Sequence, residues 1–65
     1  MALKDDDGRE WYPGESPNSF AEAAKNAVDR AEEELQEIKP LYDVKLQVLA
    51  EGPLSGYRAL VSPTG

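Results

Sequence analysis

Apolar residues in the middle of the chain recur at intervals of three and four positions. This spacing places them on one face of a helix, with charged residues on the remaining faces. Half of these apolar residues are alanine, so the helix can lie very close to the surface that it packs on. The pattern predicts one amphipathic helix with a single apolar face formed by Phe20, Ala23, Ala24, Ala27, Val28, Ala31, Leu35 and Ile38.

Local signals mark both ends of this helix. Ser19 and Glu22 have the spacing of a capping box, in which side chains satisfy free backbone N–H groups of the first turn. Lys39 ends the helix, because the residue before a proline is disfavoured in helical conformations. The last turns are acidic although the helix dipole disfavours negative charge there, which indicates either a solvated face or a partner surface that requires this charge. The acidic residues are Glu32, Glu33, Glu34 and Glu37.

Three further segments have the patterns of strands. Residues 9–12 predict a short strand, because Trp11 and Tyr12 favour β structure and Pro13 ends it. Residues 42–48 alternate between apolar and polar side chains, which is typical of a strand with one buried face. Turn-forming residues then predict a hairpin loop over 51–56, and residues 57–61 form the returning strand before Pro63.

The first residues are polar and differ from the rest of the chain. Residues 1–8 are interpreted as a solvated, poorly ordered N-terminal arm, and residues 9–65 as a single domain. Asp5, Asp6, Asp7 and Gly8 also supply the raw material of a calcium loop. The alternating aspartates and the closing glutamate of such a loop are missing, so this alternative has weaker support.

Composition narrows the classes of function. The chain has 65 residues, no cysteine and no histidine, so it has neither disulfides nor the usual zinc ligands to stabilise a small core. Self-association is the remaining means of stabilisation. A net charge of −6 argues against nucleic acid and anionic membranes as partners. No signal peptide or membrane span is recognisable, so a cytoplasmic location is expected. No nucleophile–base pair suggests an enzyme.

The order of elements predicts an α+β fold in which one helix packs on a small antiparallel sheet. One helix covers only one face of such a sheet, and residues such as Leu49 and Leu60 make the other face unfavourable to hydrate. Contacts between copies, sheet on sheet or edge on edge, would cover the remaining surface. The sequence therefore indicates a subunit of an assembly.

The segment Gly14-x-Ser16-Pro17-x-Ser19-Phe20, followed by an alanine-rich helix with Ala27-Val28-Asp29-Arg30-Ala31-Glu32, resembles the dodecins. The resemblance is good over residues 14–38 and fair over 42–61. It implies a β-α-β-β subunit in a hollow homododecamer, with helices outside and sheets inside. Many dodecins bind flavins in pairs between subunits and are regarded as storage proteins without catalysis.

The resemblance also implies a binding site, and this chain departs from it at two positions. The family's ring-stacking tryptophan falls at Leu41, or at Pro40 if no residue is inserted, with Tyr42 beside it, and the family's hydrogen-bonding glutamine falls at Arg58. Leucine cannot stack as an indole does, whereas Arg58 can donate to a carbonyl edge or a phosphate, or pair with a carboxylate of a neighbouring subunit. Trp11 lies outside the stacking position and is interpreted as a packing or interface residue.

Two hypotheses follow from the resemblance and its departures. In the first, the chain is an oligomeric storage protein that binds FMN, riboflavin or another flat anionic molecule through Arg58, Leu41 and Tyr42. In the second, it is a structural oligomer of the same fold that binds no such ligand. Ion binding by carboxylates is compatible with either hypothesis, and no residue is assigned as a metal ligand or a catalytic group.

Overall fold

A computed structural model describes residues 2–50 and 56–64 of the chain, with Leu49 described as backbone only. Five elements follow one another along the described residues. They are β1 (Leu3–Lys4), β2 (Glu10–Ser16), α1 (Phe20–Leu35), β3 (Tyr42–Leu49) and β4 (Gly56–Pro63). The helix packs on one antiparallel sheet with the strand order β1-β2-β4-β3, which confirms the predicted α+β class.

The predicted hairpin near the C-terminus is confirmed. β3 and β4 pair antiparallel over their whole length, from Tyr42 opposite Pro63 to Leu49 opposite Gly56. The returning strand is longer than predicted and does end at Pro63. The predicted turn lies mostly outside the described residues, since positions 51–55 are not among them.

β1 lies within the predicted polar arm. Leu3 and Lys4 pair with Trp11 and Glu10 of β2 in a short antiparallel ladder. The connecting turn is ordered by Asp5, whose Oδ1 atom accepts hydrogen bonds from the backbone N–H groups of Asp7 (3.0 Å) and Arg9 (2.9 Å). The division of the chain after residue 8 stays a prediction.

The expectation that Pro13 ends the strand predicted over residues 9–12 is wrong. β2 continues through Pro13, which lies opposite Leu60, and reaches Ser16 opposite Tyr57. The reason is the position of β1, which pairs only with the first two residues of β2 and leaves the rest of that edge free. The carbonyl of Glu15, two residues further on, points to this free edge and accepts from Asn26. Alternation therefore directs the missing N–H of Pro13 to the same edge, where no ladder bond is lost.

The helix begins as predicted and ends earlier. The Ser19 side chain accepts a hydrogen bond from the Glu22 N–H at 3.1 Å, which confirms the N-cap. At the other end Gln36 has a left-handed conformation (φ 55°, ψ 39°), so the predicted extension to Ile38 is wrong and Ile38 is exposed. Acidic residues crowd the last turn and no basic residue balances the dipole there, which disfavours further helix.

The alanine face of α1 lies in close contact with the sheet. Ala23, Ala27 and Ala31 are completely buried, and Ala23 and Ala27 lie directly against Gly14 of β2. A Cβ atom added to Gly14 would lie 2.2 Å from the Ala27 nitrogen and 2.4 Å from the Ala23 carbonyl oxygen. The helix and β2 therefore approach each other backbone to backbone, as the small side chains of both predict.

The remainder of the core comes from β2 and β4. Tyr12, Ala59 and Val61 are buried on the helix side of the sheet, and Phe20 packs on Tyr57 with ring centroids 4.7 Å apart. Burial raises the pKa of the Tyr12 hydroxyl, and the nearby Glu10 carboxylate raises it further. α1 thus covers β2 and β4 and makes few contacts with β3.

Candidate functional site

The apolar side of β3 is not covered by the helix. We call Val44, Leu46 and Val48 the β3 row; their exposed fractions are 47%, 55% and 63%. They lie opposite Val61, Ala59 and Tyr57 of β4, so they are on the helix side of the sheet but beyond the edge of the helix. The prediction that this face of the strand is buried is wrong for the single chain. A continuous apolar row at an edge strand is typical of an interaction surface.

Leu41 and Tyr42 lie at the start of β3. Leu41 precedes the strand and is 68% exposed, while its carbonyl accepts a hydrogen bond from the Thr64 N–H at 3.2 Å. Tyr42 is half-buried because its ring packs against the core cluster. The Tyr42 hydroxyl is buried and has no hydrogen-bond partner among the described residues. Leu41 is therefore available to a ligand or a second subunit, whereas the Tyr42 ring is engaged by its own core.

Arg58 lies far from both of these residues. It is opposite Gln47 of β3 and Glu15 of β2, so its side chain is on the sheet face that points away from the helix. Gln47 is six positions beyond Leu41, which corresponds to about 20 Å along an extended strand. One chain therefore does not bring the three predicted binding residues together. A ligand that contacts both Leu41 and Arg58 requires a second copy or a long molecule.

The guanidinium of Arg58 is only partly satisfied. Its Nε atom lies 3.7 Å from Oε2 of Glu15, which is beyond hydrogen-bond distance. The same Nε atom is buried and finds no hydrogen-bond acceptor in the part of the chain that the structure describes. Glu15 of the same chain is thus the nearby carboxylate. The predicted pairing with a neighbouring subunit stays a prediction.

A surface pocket of about 370 Å³ adjoins Arg58 at the free edge of β2. Its lining includes Asn26 and Arg30 of the helix, and the Asn26 side-chain amide donates to the Glu15 carbonyl at 2.9 Å. Sequence reasoning missed both helix residues. Their spacing of four positions places them side by side on one edge of the helix, next to the alanine face, and this signal was present in the sequence. The full lining is Pro13, Gly14, Glu15, Asn26, Arg30 and Arg58.

Trp11 is packed by its own chain on the sheet face away from the helix. Its exposed fraction is 6%, and its indole N–H donates to Oδ2 of Asp5 at 3.0 Å. The Arg9 guanidinium carbon and the Lys45 Nζ atom lie 4.8 and 4.2 Å from the ring centroid, within the range of cation–π attraction. Of the two interpretations of Trp11, packing within the chain is confirmed.

Arg9 links Trp11 to strands β3 and β4. Its Nη2 atom lies 2.6 Å from Oδ2 of Asp43, and its Nε atom donates to the Ser62 hydroxyl at 2.8 Å. Arg9 thereby connects the turn after β1 with β3 and β4. The arrangement is structural, because the charged groups of the cluster are largely committed to one another.

Asp5 does not behave as a cation ligand. Both of its carboxylate oxygens accept hydrogen bonds from the chain, and the Trp11 indole N–H and the Arg9 backbone N–H lower the pKa of Asp5 below its usual value. Within residues 2–50 and 56–64, no group of three or more carboxylates is arranged to hold a metal ion. The geometry therefore gives no support to the calcium-loop alternative.

Taken together, these features define a class: a small β-α-β-β subunit whose helix covers two strands and whose edge strand carries an uncovered apolar row. The family model for Dodecin matches residues 13–62. The chain belongs to the dodecin family, as its resemblance to dodecins predicts. Dodecins are in general small homo-oligomeric proteins that bind flavins and are not enzymes. Neither a curated protein nor a solved structure matches the chain.

The structure also bears on membrane association. Among the described residues, no helix has both the length and the apolar character needed to cross a membrane.

Proposed function

We propose that the chain is a subunit of a homo-oligomeric storage protein, with a dodecamer as its first candidate state, that holds a flavin, or else a flat anionic molecule, between subunits. FMN and riboflavin are the first candidates for this ligand. The observation that carries the proposal is the β3 row, which one chain leaves exposed beside its buried core. The family to which the chain belongs supports the same conclusion.

The β3 row supports assembly through the hydrophobic effect. Burial of apolar surface contributes about 25 cal/mol per Å², so a row of half-exposed Val44, Leu46 and Val48 favours any contact that removes it from water. A chain of 65 residues has little core stability of its own to compensate for such exposure. Copies that pack through this row would gain stability that the single chain lacks.

The ligand would use surfaces of more than one subunit. Arg58 fits the polar edge of a flavin, because its partly exposed guanidinium has only a 3.7 Å contact with Glu15 in the described part of the chain. Leu41 is exposed and supplies apolar contact, but it has no aromatic face for stacking. Arg58 therefore fits the polar edge of a flavin, whereas Leu41 fits the face of its ring less well. We propose binding and storage without catalysis.

The same Leu41 favours a second candidate function. A subunit that keeps the interface and lacks the stacking ring would form the assembly and bind flavin weakly or not at all. In that case the chain is a structural oligomer of the dodecin family. Leu41 is the observation that supports this alternative, since it stands where the family carries its ring-stacking tryptophan.

Light scattering combined with visible spectroscopy separates these functions. We expect a mass many times that of the 7.1 kDa subunit and quenching of flavin fluorescence when riboflavin or FMN is added to flavin-free protein. An oligomer that leaves flavin fluorescence unchanged would establish the structural alternative. A monomer at micromolar concentration would contradict both.

A gain-of-function variant sharpens the ligand assignment. Leu41→Trp should raise the affinity for flavin, measured by fluorescence quenching, at least tenfold. The reason is that stacking of a flat heteroaromatic ring on an indole contributes about 1–3 kcal/mol. Ile38→Trp is the matched control, since Ile38 is also highly exposed and lies three positions before Leu41 in the same connection between α1 and β3. Equal effects of both variants would show non-specific contact with tryptophan and would remove Leu41 from the proposed site.

A further inference from the structure

We propose that the pocket at the free edge of β2 is a binding site for the phosphate group of a small phosphorylated ligand. Its lining comes from a single chain, so the site does not depend on the assembly or on flavin binding. Arg58 is shared with the proposed flavin site, whereas Arg30 and Asn26 belong to this pocket alone.

Two arginines converge on the pocket from different elements. Arg30 extends from α1, which lies over β2, and Arg58 extends from β4 on the opposite side of the sheet. They meet at the free edge of β2 because the pairing of β1 with β2 reaches no further than Trp11 and leaves the rest of this edge open. Guanidinium groups present parallel N–H donors that match the oxygen geometry of phosphate.

The backbone edge adds further polarity. The side-chain amide of Asn26 donates to the carbonyl of Glu15, which fixes that amide at the rim of the pocket. Since the N–H and C=O of one strand residue point to the same side, the Glu15 N–H also points to this edge. Pro13, which lines the same pocket, has no N–H to satisfy. The edge therefore offers donors to an anion without requiring a strand partner.

The local charge contrasts with that of the chain. The protein carries a net charge of −6, yet the pocket lining contains two guanidinium groups and one carboxylate. Within the described residues, Arg30 makes no hydrogen bond or ion pair. Arg58 has only the 3.7 Å contact with Glu15, whose side chain is mostly exposed. The charge of Arg58 is therefore only weakly compensated within the described part of the chain, and an anion in the pocket would neutralise it.

The volume decides the kind of ligand. A pocket of about 370 Å³ is larger than a phosphate ion needs and lies within the usual range of small-molecule sites. The site therefore suits the phosphate of a larger molecule, with inorganic phosphate as the simplest probe.

Equilibrium dialysis of the full chain with inorganic phosphate, at constant ionic strength, tests the site. We expect saturable binding that weakens about tenfold in Arg30→Gln and in Arg58→Gln, because each removes one charge-assisted contact. Lys25→Gln is the matched control, since it removes the same charge from an exposed position on the same helix. Its affinity for phosphate should equal that of the wild-type chain.

A variant with the opposite expected sign strengthens the test. Glu15→Gln should raise the affinity for phosphate several-fold, because it removes the carboxylate that competes for Arg58. Asp29→Asn removes the same charge at a position remote from the pocket and should leave this affinity unchanged. Circular dichroism verifies that each variant is folded. Absence of saturable binding, equal weakening by Lys25→Gln, or acetate binding as tight as phosphate would each overturn the proposal.

Discussion

Two halves of the same sheet face differ only in whether the helix covers them. Val61 of β4 is completely buried, while Val44, directly opposite on β3, is about half exposed. Ala59 and Leu46 form a second such pair on the same face. Alternation in the sequence is clean for β3 and is interrupted at Leu60 in β4, yet β4 is the strand that is buried. Alternation therefore reports which side of a strand is apolar, but it does not report whether the chain's own helix reaches that strand.

The position of the helix follows from its contact with β2. Gly14 admits the backbone of α1 at Ala23 and Ala27, so the helix is held over β2 and the adjacent β4. A helix is about 10 Å across, which is about two strand spacings, and β3 lies one strand further away. The close packing over β2 and β4 and the exposure of β3 on the same face thus have a single cause.

The largest effect is expected from a charge in the exposed half. Leu46→Glu should abolish assembly and leave a folded chain of lower mass, because an unpaired carboxylate is costly to bury in an apolar contact. Light scattering measures the mass and circular dichroism the fold. Gln47→Glu adds the same charge on the opposite face of the same strand and serves as the control. An unchanged mass for Leu46→Glu would show that the β3 row is not an interface.

The covered half should be most sensitive at Gly14. Gly14→Ala should lower the free energy of unfolding by about 3 kcal/mol, because the new Cβ would overlap backbone atoms of the helix. Urea denaturation measures the change. Gly8→Ala is the control: its positive φ of 79° costs about 1 kcal/mol, but nothing lies within 4 Å of an added Cβ. Equal losses in the two variants would argue against close contact between α1 and β2.

The two opposed valines allow a matched test of the difference between the halves. Val61→Ala should lower the free energy of unfolding by about 2 kcal/mol through loss of core packing. Val44→Ala should change it by less than about 0.5 kcal/mol. Both are measured in the Leu46→Glu background, so that assembly does not contribute. Similar losses at both positions would mean that α1 covers β3 as well.

The smallest effect concerns the third region, the Trp11 side of the sheet. Hydrogen bonds from Trp11 and from the Arg9 backbone hold the pKa of Asp5 below its usual value of 3.8. The carboxylate therefore stabilises the β1–β2 hairpin fully above pH values near 4, and this contribution is lost as the pH falls through the lowered pKa. Acid titration followed by Trp11 fluorescence should detect the loss, and Asp5→Asn should remove the transition. A transition that persists in Asp5→Asn would assign it to another carboxyl group.

Much of the fold was predictable from local chemistry. The helix start at Ser19 and the faces of β4 follow from side-chain patterns that act over a few residues. The strand at Pro13 and the helix end at Gln36 were not predictable in this way. Pro13 is tolerated because β1 stops short of it, and Gln36 adopts a left-handed conformation that its sequence neighbours do not require.

The candidate site was less predictable than the fold. Arg58 was identified through the family resemblance, but Arg30 and Asn26 join it only because the helix lies over the edge of β2. Leu41 and Tyr42 are adjacent in sequence, yet only Leu41 is exposed, since the Tyr42 ring packs on the core. Which residues share a site depends on the placement of α1, and a placement of this kind is a tertiary property.

Pro13 has a consequence for how copies of the chain can be joined. A sheet that can accept a strand at both edges can add copies without limit and form a ribbon or fibre. Here one edge carries a proline and a short covering strand, while the other edge, β3, is free along its length. Because Pro13 interrupts the uncovered part of the β2 edge, strand pairing between copies is favoured at β3, where it ends after two chains. Growth by that route is terminated, and a finite particle is favoured over a filament.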